Sequence, residues 1–464
     1  MSRRPINISN NLTKLAFVLL IVFMLTVWAA GGASRADVLG QVVVRTIAWL
    51  TLIAIIMFLP RPVWRPVSPI AILLGASIAL VSTQLIPLPP AVWTHLPGRE
   101  VIVQSAIASD QLQPWRPISI SPGATVNALF SLIVPTVALL LLTFFDDRNH
   151  KRVLVILLGF ITASSMIGAL QFAGLSIDNP FVNDAPGTVV GTFANRNHFA
   201  LFLALGCVLA PAWVFSDKTV SLWKALLAVM LVTVFALVIL ATGSRLGVVL
   251  GFTGVVLGIL SVGGRIKEFV NTFPRRIWIS SIVVAIVFLA IAVTSSIMLG
   301  RAVSMDRVFA LDASEDLRMN GLPIIWQATL IHFPIGAGFG IFDPLFRIYE
   351  PDYLLGPSYW NHAHNDWIEI VLEGGAAGLL ILAVSFVWWA AASFRAWLTP
   401  FSEQTIRARA GSIMILLIGI ASMADYPART PIIMVALVVA GVWLATNGAT
   451  TRRQNSSSAR SKAI

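Results

Sequence analysis

Charged residues are scarce in this 464-residue chain: they make up 11% of it, whereas hydrophobic residues make up 57%. A soluble core of this length cannot absorb so much apolar surface, so a water-soluble globular protein is excluded. Cysteine occurs once, at Cys207 in an apolar stretch, which excludes an intrachain disulfide framework and indicates a small core residue. Apolar stretches of roughly 18–22 residues recur from end to end and predict one polytopic membrane domain over residues 1–464.

The apolar stretches predict an all-α membrane protein with about twelve transmembrane helices. We expect them near residues 15–30, 38–59, 69–86, 124–145, 153–173, 198–215, 224–242, 246–262, 277–299, 370–394, 411–424 and 431–447.

Three segments outside the predicted helices are long or unusual. Residues 87–123 are rich in Pro and Trp, so we expect neither helix nor ordinary strand there but a segment folded on the membrane surface. Residues 300–369 form a large loop between the ninth and tenth helices, and the helical spacing of apolar residues in 322–333 predicts an interfacial helix within it. Residues 448–464 are polar and predict a disordered cytoplasmic tail.

The distribution of Lys and Arg predicts the orientation of the chain. With the N-terminus inside, about two thirds of the 32 Lys and Arg residues fall in cytoplasmic segments, so both termini are expected to be cytoplasmic. The net charge of +11 then reflects orientation and attraction to anionic inner-leaflet lipid. No basic stripe interleaved with aromatic residues is present, so nucleic acid is not expected as a partner.

Four polar side chains, Arg196, Arg245, Arg318 and His364, lie in separate segments that this topology places on the outer side. Arginine is usually scarce on that side. Their occurrence beside an exposed His-x-His-Asn sequence predicts a site for an anionic group next to a base. The outer placement and the asymmetric position of the long loop favour an enzyme over a transporter built from two matching halves.

Each arginine also has a structural interpretation. Arg196 lies in the segment 191–199 and binds a charged head group or snorkels from a polar helix cap. Arg245 lies in a tight turn between two predicted helices, at the lip of the hydrocarbon, where a cation needs a partner or water. Arg318 interacts with the ligand or pairs with a neighbouring acid. Arg45, within a predicted helix, lines the same cavity from below or pairs between helices.

The sequence around His364 predicts a helix start. Asp366 followed by Glu369 resembles a capping box, so a helix is expected to begin near Trp367, with His364 just ahead of its positive end. Histidine is suited to general-base work near neutral pH. A metal-ligand pair formed with His362 and a purely structural cap are the alternatives. The glycine-rich segment 336–340 lies outside any βαβ unit and predicts a turn, not a nucleotide loop.

Taken together, these blocks resemble the O-antigen ligase and O-antigen polymerase family. The resemblance covers about residues 185–390 and includes the segment 191–199, Gly243-Ser244-Arg245, Arg318 with Pro323 and Trp326, His364-Asn365, Trp367, Glu369, Glu373-Gly374-Gly375 and Gly378-Leu379-Leu380.

The resemblance implies a GT-C-like glycosyltransferase in a bacterial inner membrane. Such an enzyme takes glycan from an undecaprenyl-diphosphate-linked donor at the periplasmic face and passes it to an acceptor glycan or lipid, without metal or cofactor. It implies that Arg196, Arg245 and Arg318 bind the diphosphate and that His364, or else His362, is the base. Supporting residues are expected to be His362, Asn365, Asn195, Asn197, Glu369 and Arg45.

Several alternatives stay open. The sequence does not separate a ligase from a polymerase, although segment 87–123, as a place for a second glycan, favours polymerase or exopolysaccharide work. The acidic residues of the outer loop leave room for a metal-dependent variant. A transporter of polysaccharide or lipid-linked sugar, and a scaffolding subunit that would not need His364, are the other functional classes.

Overall fold

The computed structural model describes residues 10–182, 187–217, 219–272, 313–356 and 359–461, together with 274, 276, 279, 280, 283 and 287. Over these residues nine helices are long and apolar enough to cross a membrane, or ten if a bent pair forms one span. The prediction of an all-α polytopic membrane protein is therefore confirmed. The ninth predicted helix, 277–299, lies outside the described residues except at isolated positions, as do residues 301–312 of the large loop.

The structure contains seventeen described α-helices and one pair of very short strands. The helices are α1 (Asn10–Ala30), α2 (Leu39–Phe58), α3 (Ser68–Thr83), α4 (Pro90–Trp93), α5 (Glu100–Ala108), α6 (Pro122–Ser131), α7 (Ile133–Leu142), α8 (Asp147–Phe172), α9 (Arg196–Phe215), α10 (Leu222–Ala241), α11 (Arg245–Ser261), α12 (Gly263–Val270), α13 (Ala313–His332), α14 (Phe342–Tyr349), α15 (Asp366–Leu398), α16 (Glu403–Ala421) and α17 (Pro431–Ser461). The strands β1 (Pro87–Leu88) and β2 (Arg116–Pro117) pair antiparallel.

Helix α9 is the central element and is almost wholly surrounded by other helices. Its closest neighbour is α11, whose glycines permit the approach: a Cβ on Gly254 would lie 2.8 Å from the carbonyl oxygen of Ala204, and one on Gly258 would lie 2.9 Å from that of Cys207. Small residues at a helix interface let backbones pack closely within a membrane. Cys207 is buried there, as predicted.

The predicted start of one helix is wrong, for a physical reason. Helix α16 begins at Glu403, not near 411, because two arginines continue it: Arg407 pairs with Asp147 at 2.7 Å, and Arg409 donates to carbonyl oxygens, including that of Ala396 at 3.1 Å. Because these arginines have polar partners inside the fold, the helix includes charged residues that hydropathy alone would place outside it. The predicted fourth span is present as one candidate span, Pro122–Leu142, which consists of α6 and α7. Helix α17 continues to Ser461, where the sequence predicts a disordered tail.

The expectation of neither helix nor strand in 87–123 is wrong. Its prolines begin helices as well as interrupt them, because the fixed φ of proline suits a first turn, as at Pro90. Arg99 fastens the segment to the fold: its buried guanidinium donates to the carbonyl oxygens of Pro97, Ile118 and Gly336 at 3.0, 2.5 and 3.1 Å. The helix predicted over 322–333 is present as the end of α13, and its interfacial position stays a prediction.

Helix α15 is broken where it meets the glycine-rich turn. Gly375 has φ +58°, and a Cβ there would lie 2.1 Å from the carbonyl oxygen of Pro334. Segment 336–340 is a turn, as predicted, and Gly338 N donates to Glu373 O at 3.0 Å. The contact requires glycine because only glycine accepts both the left-handed backbone and the close approach.

Candidate functional site

Two of the predicted arginines open helices with polar caps. Arg196 is the first residue of α9, and Asn195 caps this helix by accepting from Asn197 N at 2.7 Å. Arg245 is the first residue of α11, and Ser244 caps it by accepting from Gly247 N at 2.9 Å. Both arginines are therefore at helix N-termini, where backbone N–H groups and the helix dipole favour anions.

A buried carboxylate, Asp425, joins three of the predicted blocks. Its Oδ2 accepts from Asn195 Nδ2 at 3.1 Å and from Asn197 Nδ2 at 2.7 Å. Asn197 in turn accepts from Ser244 Oγ at 2.7 Å. The other oxygen, Oδ1, lies 3.3 Å from His364 Nδ1. Residues separated by up to 230 positions thus meet at one carboxylate.

Asp425 is held in its ionised form. Burial raises the pKa of the carboxyl, but His198 and His364 oppose this, and the pKa lies well below its usual value. An ionised carboxylate only accepts hydrogen bonds, so the contact with His364 requires its Nδ1 to carry the proton. The basic nitrogen of the His364 ring is then Nε2.

The backbone of His364 adopts a conformation that is rare for a residue with a side chain. Its φ is +50°. Such a conformation costs free energy and persists only where surrounding contacts hold it. Those contacts include Asp425 and the ring of Tyr426, whose centroid lies 4.9 Å from that of His364, 4.3 Å from that of His362 and 5.0 Å from that of His198. Three histidine rings therefore surround one tyrosine.

A second network lies next to the first and is built on Arg429. Its Nε donates to Asp366 Oδ1 at 3.0 Å, its Nη1 lies 3.1 Å from Glu369 Oε1, and its Nη2 donates to Glu373 Oε2 at 3.1 Å. All three carboxylates are buried on α15. Their proximity raises the pKa of Arg429 although burial opposes the shift. One guanidinium thus binds the short connection before α17 to the first turns of α15.

His362 belongs to this second network. Its Nδ1 lies 2.9 Å from Glu369 Oε1. Burial, together with the charge of Arg429, lowers the pKa of His362 to about 3, so its ring is neutral at pH 7. The two histidines of the His-x-His sequence therefore contact different carboxylates, Glu369 and Asp425. Across the described ranges, no group of three His, Cys, Asp or Glu side chains is arranged to hold a metal ion.

The predicted capping box is wrong, although the helix start is nearly right. Helix α15 begins at Asp366, and Asn365 caps it by accepting from Ile368 N at 3.2 Å. Glu369 instead accepts from Ala363 N at 2.7 Å. The reason is Arg429, which holds both acidic side chains away from the cap.

Arg45 does line a cavity, but one next to the His364 contacts. This cavity of about 450 Å³ is also lined by Asn361, His362 and Arg429. Arg45 Nη1 donates to Asn127 Oδ1 at 2.6 Å, which confirms an interhelical contact as well. Arg318 lies in α13, and its side chain is outside the described residues.

Asp425, Tyr426 and Arg429 were not predicted as site residues. They occupy a short polar connection, 422–430, between two apolar helices on the predicted outer side. A signal was available, because Arg429 is one of the arginines on the side where arginine is scarce. Its partners are distant in sequence, so no local spacing identified them.

The comparison with curated proteins gave no match to this chain. Residues 228–383, about a third of the chain, match the family model described as O-antigen ligase. The matched segment includes the Ser244–Arg245 turn, α13, the His362–Asn365 loop and the acidic turns of α15, and it lies within the region of the predicted resemblance. The chain therefore carries an O-antigen ligase family domain over residues 228–383.

Proposed function

We propose that the protein transfers or polymerises glycan from an undecaprenyl-diphosphate-linked donor to an acceptor hydroxyl, in O-antigen or exopolysaccharide assembly. The reaction takes place at the periplasmic face of a bacterial inner membrane, with both termini cytoplasmic. The observation that carries this proposal is the convergence on Asp425 of the His364 loop and of the two helix starts that bear Arg196 and Arg245.

His364 is the base in this proposal. Asp425 fixes the proton on Nδ1, so Nε2 takes the proton of the acceptor hydroxyl as the acceptor oxygen bonds to the anomeric carbon of the donor sugar. A positioned general base of this kind accelerates a reaction by about 10²–10⁴. His362 is the poorer candidate because its lowered pKa makes it a weak base.

The arginines act on the leaving group. As the bond between the anomeric carbon and the diphosphate oxygen breaks, the electron pair and the negative charge remain on the diphosphate. Arg196, Arg245 and Arg318 are permanently charged, and each guanidinium matches phosphate oxygens bidentately. Placed where charge develops, such groups stabilise the transition state by several kcal/mol each without a metal or cofactor.

Reconstitution tests the proposal directly. The purified protein is given a polyprenyl-diphosphate oligosaccharide and an acceptor in the presence of a chelator. Product formation is expected from wild type and is expected to be lost in His364→Ala and in Arg245→Ala. Two exposed residues supply matched controls, His95→Ala and Arg61→Ala, which should retain activity. Unchanged turnover in His364→Ala would remove the proposed base.

The second candidate function is transport of polysaccharide or lipid-linked sugar. It is favoured by one observation, the cation Arg45 within a membrane-spanning helix at a cavity. A flipping assay on the same proteoliposomes decides between the two functions: donor that crosses the bilayer without forming product supports a transporter.

A further inference from the structure

The 450 Å³ cavity next to the His364 contacts has the size and lining of a ligand site. Pockets for small ligands span roughly 300–1,000 Å³. Twelve of the twenty lining residues carry polar side chains. The ring of Tyr359 is part of the lining, and two guanidinium groups are near it, those of Arg35 at 5.5 Å and Arg347 at 5.2 Å. An aromatic ring among amide and charged groups is suited to a saccharide, which offers both apolar ring faces and hydroxyl groups.

The charges around the cavity are balanced, with one exception. Arg35 pairs with Asp37 at 2.5 Å. Asp343, which also lines the cavity, pairs with Arg347 at 2.7 Å. Arg429 is held by three carboxylates, as described above. The carboxylates on the wall are therefore already engaged and oppose an anionic ligand only weakly.

Arg45 is the exception. Its Nη1 donates to Asn127, its buried Nε has no hydrogen-bond partner, and no carboxylate pairs with it among the residues the structure describes. A guanidinium within a membrane-spanning helix is costly unless it faces water, a partner or a ligand. An anionic group entering the cavity would supply the missing partner, and a carboxylate matches the guanidinium fork.

A second cavity lies beside the first and has lining residues in common with it. It has a volume of about 120 Å³ and shares Arg35 and Asn361 with the larger one. Its wall also includes Asn195 and Tyr426, both of which contact the groups around Asp425. A glycan that occupied both cavities would thus reach residues that contact Asp425.

We propose that the larger cavity binds an acidic sugar of the glycan substrate, with the sugar carboxylate on Arg45. This inference rests on the proposed function, and it assigns the chemical class of saccharide that the site prefers. A charge-assisted hydrogen bond of this kind corresponds to about 10- to 100-fold in affinity. Wild type is therefore expected to prefer an acidic saccharide over its neutral counterpart by that factor.

A binding experiment without donor or turnover tests this, so that a failure here is separate from a failure of the proposed reaction. The protein in phosphatidylcholine nanodiscs is titrated with a glucuronate-containing oligosaccharide and with the same oligosaccharide after carboxyl reduction. Arg45→Gln should abolish the preference. Arg61→Gln is the control, because this exposed arginine does not line the cavity, and it should keep the preference. Equal affinity of wild type for the two sugars, or a preference that survives in Arg45→Gln, overturns the proposal.

Two further arms complete the design. Asn127→Asp places a carboxylate of the same shape against Arg45 and should abolish the preference without deleting the arginine, which covers a failure of Arg45→Gln to fold. Phosphatidylglycerol is then added to the nanodiscs. If this anionic lipid removes the preference, the cavity binds lipid phosphate and the saccharide assignment is overturned; if the preference remains, the assignment is supported.

Discussion

Replacing Asp425 by Asn removes one charge and keeps the shape of the side chain, so it tests whether the carboxylate organises the site. One carboxylate oxygen becomes an NH₂ group. If that group replaces Oδ2, it faces two donors, Asn195 Nδ2 and Asn197 Nδ2. If it replaces Oδ1, it faces Tyr426 N and His364 Nδ1. At least two donors lose their acceptor in either orientation.

The expected magnitude follows from these contacts. A buried donor left unsatisfied costs about 1–3 kcal/mol, so two of them lower the free energy of unfolding by roughly 2–6 kcal/mol. Turnover is expected to fall further than stability explains, by about 10²–10⁴, because nothing then fixes the His364 tautomer. Turnover is measured in proteoliposomes at saturating donor, below the unfolding temperature of the variant. Asp178→Asn, which removes an exposed carboxylate that lines neither cavity, is the control.

The pH dependence gives an independent check. Because the folded-state pKa of Asp425 lies well below its usual value of 3.8, the ionised carboxylate stabilises the fold fully above that value, and this stabilisation is lost as the pH falls through the folded pKa. The difference in unfolding temperature between wild type and Asp425→Asn should therefore shrink as the pH falls below about 4. Wild-type turnover in Asp425→Asn, in folded protein, would refute the reasoning.

Three further outcomes are expected. His362→Gln should weaken the acid sensitivity of the fold: between pH 6.5 and about 3 the unfolded chain protonates His362 and the folded chain does not, so wild type loses stability as the pH falls through this window. Gly375→Ala should lower the unfolding temperature strongly, because its Cβ meets a backbone oxygen, whereas Gly159→Ala, which meets nothing within 4 Å, should not. Ser244→Ala and Ser402→Ala each remove a helix cap worth about 1 kcal/mol, but only Ser244→Ala should also reduce turnover, since Ser244 belongs to the Asp425 network.

Much of the architecture could be predicted from the sequence, because membrane-spanning helices are recognisable by their length and hydropathy. The candidate site was located in part by charge: Asn195, Asn197 and His364 do meet, through Asp425. The arginines that the predicted topology places on the outer side indicated these segments, although the sequence contains no distances between them.

The remaining features could not be predicted from local sequence patterns. Asp366 and Glu369 have the spacing of a capping box, yet Arg429, about 60 residues away, engages both and leaves the cap to Asn365. The helical turns in 87–123 were missed because proline was interpreted only as an interruption. In each case a tertiary contact or a turn preference outweighed the local pattern.

The break at Gly375 separates α15 into two mechanical parts. The N-terminal part, which carries the three carboxylates, is anchored to Arg429 and to the glycine-rich turn, whereas the C-terminal part runs on to Leu398. Changes in bilayer thickness are accommodated by tilt of a spanning helix. We expect such tilting to pivot at Gly375, so that lipid composition reorients the C-terminal part while the acidic turns keep their register with Arg429.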